Sequence, residues 1–107
     1  MEEKSAFLEF VGNTPVTRLL NFLIVGREFD YTLTDLANKA GVSWTTLNRI
    51  FPKLRAQNIV VEVRQIGRAR LYKLNANNPN VKKMIDPHKG ILLESLKMMA
   101  EEKLIEA

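Results

Sequence analysis

Between Tyr31 and Leu74 the apolar residues first follow a helical period and then alternate, an order few folds accommodate. Thr34 reads as the N-cap of a helix to Ala40, with Asp35 near the positive end of its dipole and Leu36, Ala37 and Ala40 as its buried stripe. Gly41 supplies a left-handed C-terminal residue, Val42 plugs the space between helices, and Ser43 caps a second helix running toward Gln57. In this second helix Leu47, Ile50, Phe51 and Leu54 share one face, and Thr45, Asn48, Arg49 and Pro52 share the opposite one, with Trp44 and Thr46 on the flanks. Pro52 cannot donate to the Asn48 carbonyl and crowds it, so a kink or restart is expected there, with Pro52–Gln57 as a tilted continuation. Ile59, Val61 and Val63 then alternate with Val60, Glu62 and Arg64 as a half-buried strand. Ile66-Gly67-Arg68 forms a hairpin tip, and Arg70 to Leu74 returns, carrying Leu71 and Leu74.

The flanks are helical. Phe7, Phe10 and Val11 share one face of a short amphipathic helix over 3–11, which Gly12-Asn13 ends. Thr14-Pro15 opens the next helix as cap and first residue, and Val16, Leu19, Leu20, Leu23 and Ile24 are its core stripe. After a polar linker, Asn75 to Asn78, the pair Asn78-Pro79 opens a short helix to Ile85. Asp86-Pro87 repeats the signature and opens a last helix to about Ile105, with Leu92, Leu96 and Met99 on its broad apolar stripe. That stripe spans under three heptads, too short for an independent coiled coil.

Charge is segregated. Residues 1–33 carry three basic against five acidic residues, 34–75 eight against two, and 76–107 five of each. The whole net charge of +4 therefore conceals a +6 segment centred on the helix pair and hairpin, the footprint of a face that binds a polyanion. The alternative is a basic surface serving solubility alone. The longest uninterrupted apolar run, Phe22 to Val25, is far too short to span a bilayer. The opening Met1-Glu2-Glu3-Lys4 has no basic lead into an apolar segment, so neither a membrane association nor a secretory leader is expected, and the location expected is cytoplasmic. With no cysteine, thiolate chemistry and cysteine-based metal sensing are excluded.

Catalysis finds no inventory: one histidine, no glycine-rich phosphate loop, and acidic pairs only near the chain ends. No enzyme activity, cofactor or metal is expected, and His88 is expected at the surface or in a dimer interface. Double-stranded DNA finds a coherent set. Ser43, Thr45 and Thr46 offer hydroxyls to phosphate or bases, Asn48 suits adenine, and Arg49 suits guanine or phosphate. Trp44 either touches a sugar or thymine methyl or rims the core. Lys53 falls beyond the expected break, toward phosphate or solvent. Arg64, Arg68 and Arg70 alternate around Gly67, as if presented on one side of the hairpin toward the minor groove or backbone.

The run TLTDLANKAGVSWTTLNRIFPKLRAQNIVVEVRQIGRARLYKLN resembles prokaryotic, and especially archaeal, winged-helix regulators of the broad MarR/ArsR type, over roughly residues 14–85. The resemblance lies in AGVS, the leucine pattern of the second helix, IV at the first wing strand and GRARLYKLN-x-x-NP. It implies an α+β fold: a winged helix-turn-helix with a three-helix core, a β-hairpin wing, and extra N- and C-terminal helices. In such a fold Tyr31-Thr32-Leu33 adds a third strand to the hairpin. The resemblance further implies a DNA-binding unit over 1–76 and a dimerising helical segment over 77–107. It implies a homodimeric regulator that reads the major groove with helix 43–56 and touches flanking DNA with wing 59–74. Phe7, Phe10, Val11, Leu92, Leu96 and Met99 are the expected dimer contacts. Two other readings use the same basic face: an architectural protein that binds duplex without sequence preference, and a protein-interaction module.

Overall fold

The computed structural model describes residues 6–88, and its elements run α1 (Ala6–Val11), α2 (Pro15–Val25), α3 (Leu33–Ala40), α4 (Trp44–Ala56), β1 (Val60–Ile66) and β2 (Ala69–Leu74). A further helix, α5, occupies 79–88. Helices α2, α3 and α4 with the β1–β2 hairpin make an α+β winged helix-turn-helix. Leu19, Leu23 and Ile24 of α2, Leu36 and Ala40 of α3, and Leu47, Ile50, Phe51 and Leu54 of α4 meet in one core, closed by Val60, Tyr72 and Leu74. Val81 and Ile85 of α5 belong to the same core.

The local chemistry explains the boundaries. Thr14 caps α2 reciprocally with Thr17. Helix α3 starts two residues earlier than a Thr34 cap implies. Thr32 is its cap, because Asp35 stands three residues on: the Asp35 N–H donates to Thr32 Oγ1 at 3.1 Å, and the Thr32 N–H donates to Asp35 Oδ2 at 3.3 Å. Two reciprocal bonds outweigh the single one Thr34 offers. The cap consumes most of the extended piece expected here. Only Tyr31 joins the hairpin, exchanging two backbone hydrogen bonds of 2.8 Å with Tyr72, and the sheet stays two-stranded. Gly41 adopts φ 68°, the left-handed conformation that turns the chain from α3 into α4.

Pro52 does not divide α4, which is one helix from Trp44 to Ala56. Asn48 and Pro52 are both exposed, so the carbonyl that Pro52 deprives of a donor lies on the solvated side. Pro87 likewise leaves α5 continuous through 79–88, and no new helix opens at Asp86. Asn78 caps α5, its Oδ1 accepting the Asn80 N–H at 2.9 Å. The linker before it is tied down: Asn75 and Asn78 each donate to the Asn58 carbonyl at 3.0 Å.

The hairpin departs from simple alternation. Glu62 pairs with Tyr72 and Arg64 with Leu71, so Val63 is the extra residue of a bulge. Val60 is buried, whereas Val63 is exposed. Gly67, at φ 59°, is the first of two turn residues between the paired Ile66 and Ala69, where a tight hairpin turn favours glycine. Leu71 and Tyr72 are both buried, so the returning strand contributes more to the interior than Leu74 and Leu71 alone.

Candidate nucleic-acid interface

Helix α4 is anchored through its whole length, which fixes what it presents outward. Leu47, Ile50, Phe51 and Leu54 are buried, and each fully buried side chain of this size is worth roughly 1.5–3 kcal/mol. The opposite face carries Trp44, Thr45, Asn48, Arg49, Pro52 and Lys53, all exposed, at the i, i+1, i+4, i+5 spacing of one stripe. Trp44 is 54% exposed, so it lies on this outer face and does not rim the core. Exposed Ser43 and half-buried Thr46 are engaged in the cap: the Thr46 N–H donates to Ser43 Oγ at 3.2 Å, and their hydroxyls share a 2.9 Å bond. Asn48 Nδ2 donates to the Trp44 carbonyl at 2.8 Å.

The wing arginines separate. The bulge at Val63 shifts the alternation by one residue, placing Arg64 on the face of Val61 and Lys73, while Arg70 opposes Gln65 on the other face. The three therefore do not stand on one side of the hairpin. Arg64 makes a bidentate pair with Asp30, Nε donating to Oδ2 at 2.6 Å and Nη2 to Oδ1 at 3.0 Å. Arg64's hydrogen bonds hold the Asp30 carboxyl below its ordinary pKa, and in return the Asp30 carboxylate raises that of Arg64. Arg70 lies 4.0 Å from Glu62. Arg68 is exposed in the turn itself.

The basic segment thus sorts by partner. Lys39 sits over the Tyr31 ring at 5.6 Å and Arg55 over Tyr72 at 5.3 Å, cation–π contacts made by exposed side chains with rings of their own chain. Arg64 and Arg70 face carboxylates. Arg49, Lys53 and Arg68 make no ion pair or hydrogen bond among the described residues. Lys73 adds its charge beside the Asp30 carboxylate, so these three are the cations of the segment left for an external anion. Sequence reasoning missed Arg18. A Cβ at Gly41 would lie 4.0 Å from Arg18 Nε, so this guanidinium stands against the turn that delivers α4, with Nη1 donating to Asn13 Oδ1 at 2.8 Å. Arg18 lies in an acidic stretch of sequence, and no local pattern signals it.

Of the expected dimer contacts, Phe10 is 76% exposed and Val11 is exposed, but Phe7 is half-buried. Its ring centroid lies 4.7 Å from that of His88. His88 is not a surface residue: it is buried, with Nε2 sharing a 2.8 Å hydrogen bond with Asn21 Oδ1. Burial pushes its pKa down, and nearby Arg27 adds to this. Leu92, Leu96 and Met99 lie outside the described residues. Among the described residues no helix is long and apolar enough to cross a membrane, and no group of His, Asp or Glu is placed to hold a metal ion.

No protein-family model and no curated protein sequence matches the chain. Solved structures do. A variant of Lactococcus lactis ZitR in its apo form superposes with a TM-score of 0.64 at 20% identity, over 92% of this chain and 80% of that one. NolR from Sinorhizobium fredii is 28% identical with a TM-score of 0.59, over 80% of each chain. Another ZitR variant, solved in complex with DNA, is 20% identical with a TM-score of 0.59, over 79% of this chain and 60% of that one. These likenesses establish the winged-helix fold of the chain.

Proposed function

We propose that the chain is a DNA-binding transcription regulator, an archaeal-type relative of the MarR/ArsR winged-helix proteins, acting as a homodimer. One observation carries the reading: α4 turns a continuous exposed stripe outward, and its cations Arg49 and Lys53 have no acceptor among the described residues. Protein architecture of this kind lays the second helix of the motif in the major groove, and the DNA-bound ZitR variant shares the fold. In this reading Ser43, Trp44, Thr45, Thr46, Asn48, Arg49 and Lys53 face the groove or its walls, and Arg68 delivers the wing to flanking DNA. Arg64 and Arg70 serve the wing's own geometry first. Nothing in this scheme calls for catalysis.

The dimer reading rests on the bare apolar side chains of α1, Phe10 and Val11, and on Leu92, Leu96 and Met99 in the 77–107 segment. A two-fold pair would set its α4 helices roughly 34 Å apart, one helical turn of DNA. Light scattering at micromolar concentration should return the mass of two chains, and a monomer would end this part of the proposal. The regulator reading is tested by selecting bound duplexes from a random library and comparing the selected site with random DNA at one salt concentration. A ratio of ~10³ or more is expected of a regulator. A ratio near one would assign the same face to an architectural protein. No measurable DNA affinity would turn attention to protein partners.

A further inference from the structure

Asn48 stands apart from its neighbours on the outer stripe of α4 because its polar group is already oriented. Its Nδ2 donates to the Trp44 carbonyl one turn back at 2.8 Å. Turning the amide over would set Oδ1 against that carbonyl oxygen, lone pair to lone pair, so the bond decides which end faces which way. One N–H is used inward. What remains is a second N–H and Oδ1, a donor and an acceptor on one planar amide with no further partner among the described residues. Asn48 is exposed, so this amide is open to a ligand.

The four bases answer that amide differently in the major groove. Adenine offers an N6 donor beside an N7 acceptor, the complement of both free groups. Guanine offers two acceptors, one of which would meet Oδ1. Thymine offers an acceptor and a methyl, and cytosine a donor with no acceptor beside it. Resting on the DNA-binding reading above, the geometry points to Asn48 as a specificity-determining residue that reads one adenine through both N6 and N7. The bond to Trp44 holds the side chain before DNA arrives, which lowers the ordering cost that a free asparagine would meet on binding. Arg49 has no such internal bond, so its direction is set only by what it meets.

The test uses the full chain and its Asn48→Ala variant, with circular dichroism showing both folded, and duplexes selected from a random library. The wild type should require adenine at one position per bound helix, preferring it by roughly five- to 150-fold. In the variant that single preference should vanish while the others persist. At the same position, 7-deazaadenine removes N7 and unsubstituted purine removes the N6 amino group. Each should weaken the wild type and leave the variant indifferent. If Asn48→Ala keeps every base preference, or if both analogues bind the wild type as well as adenine does, the assignment is overturned. Wild-type binding with no preference at all would overturn it while leaving DNA binding intact. Failure of the wild type to bind any duplex would instead overturn the functional reading on which it rests.

Discussion

Helix α4 and the hairpin carry charge of the same sign but are held in opposite ways. The helix is rooted at every turn, by Leu47, Ile50, Phe51 and Leu54. The hairpin is rooted at one end: Val60, Leu71, Tyr72 and Leu74 are buried near its base, while everything from Glu62 to Arg70 is exposed. A helix fixed along its length keeps its outward groups in place to fractions of an ångström, as base discrimination requires. A lever pinned at its base delivers charge to a backbone but cannot hold a hydrogen-bonding pattern. On the proposed DNA-binding reading, recognition would divide between an element suited to sequence and one suited to affinity.

The largest effect that can break this contrast is on stability. Leu47→Ala should cost about 2–5 kcal/mol in urea unfolding, since Leu47 is fully buried. Ile66→Ala, at the wing, should stay within about 0.5 kcal/mol because Ile66 is 56% exposed. Equal losses would mean that the hairpin is as deeply rooted as α4. On DNA, Arg49→Ala should cost ~1–3 kcal/mol at the preferred site and relax its sequence preference. Arg68→Ala should weaken every duplex alike and reduce the salt slope by about one. Identical profiles for the two variants would erase the division of labour.

A smaller effect tests how far the rooted region extends. His88 links α5 to α1 and α2 and has a pKa held below 6.5. Because the unfolded chain binds the proton more readily, its contribution is full above the unfolded pKa and is lost as pH falls through the folded one. The urea midpoint of the wild type should fall as the pH drops below about 6.5, and His88→Gln should flatten that dependence. The smallest effect belongs to Asp30→Asn. Amide exchange should quicken in β1 around Arg64 and stay unchanged in α4. The Asp30 pKa is depressed from 3.8, so the wild-type pair persists above that pH and is lost only in stronger acid.

The parts legible in sequence are those set by short-range periodicity and glycine geometry. The stripes of α2 and α4, the turn at Gly41 and the hairpin tip at Gly67 follow from neighbouring residues alone. What escaped depends on distant partners or on competition between nearly equal choices. Thr32 and Thr34 are both competent caps, and Asp35 decides between them through a side-chain bond. The bulge at Val63 is invisible in an alternating run, yet it moves Arg64 from Arg70's side to Asp30's. His88 resembles a surface residue until Phe7 and Asn21, far away in sequence, are folded against it. Pro52 and Pro87 interrupt no helix, because a missing donor costs little where the orphaned carbonyl meets water.

Trp44 is the only tryptophan in the chain, and it stands at the opening of α4 with more than half of its surface in water. All indole emission therefore originates at the exposed face of α4, the one proposed to meet DNA. The free protein should emit at the long wavelengths of a water-relaxed indole, and a duplex laid against α4 would strip that water and shift the emission to shorter wavelength. The fold carries its own optical gauge of occupancy, and no label need be attached to the face it monitors.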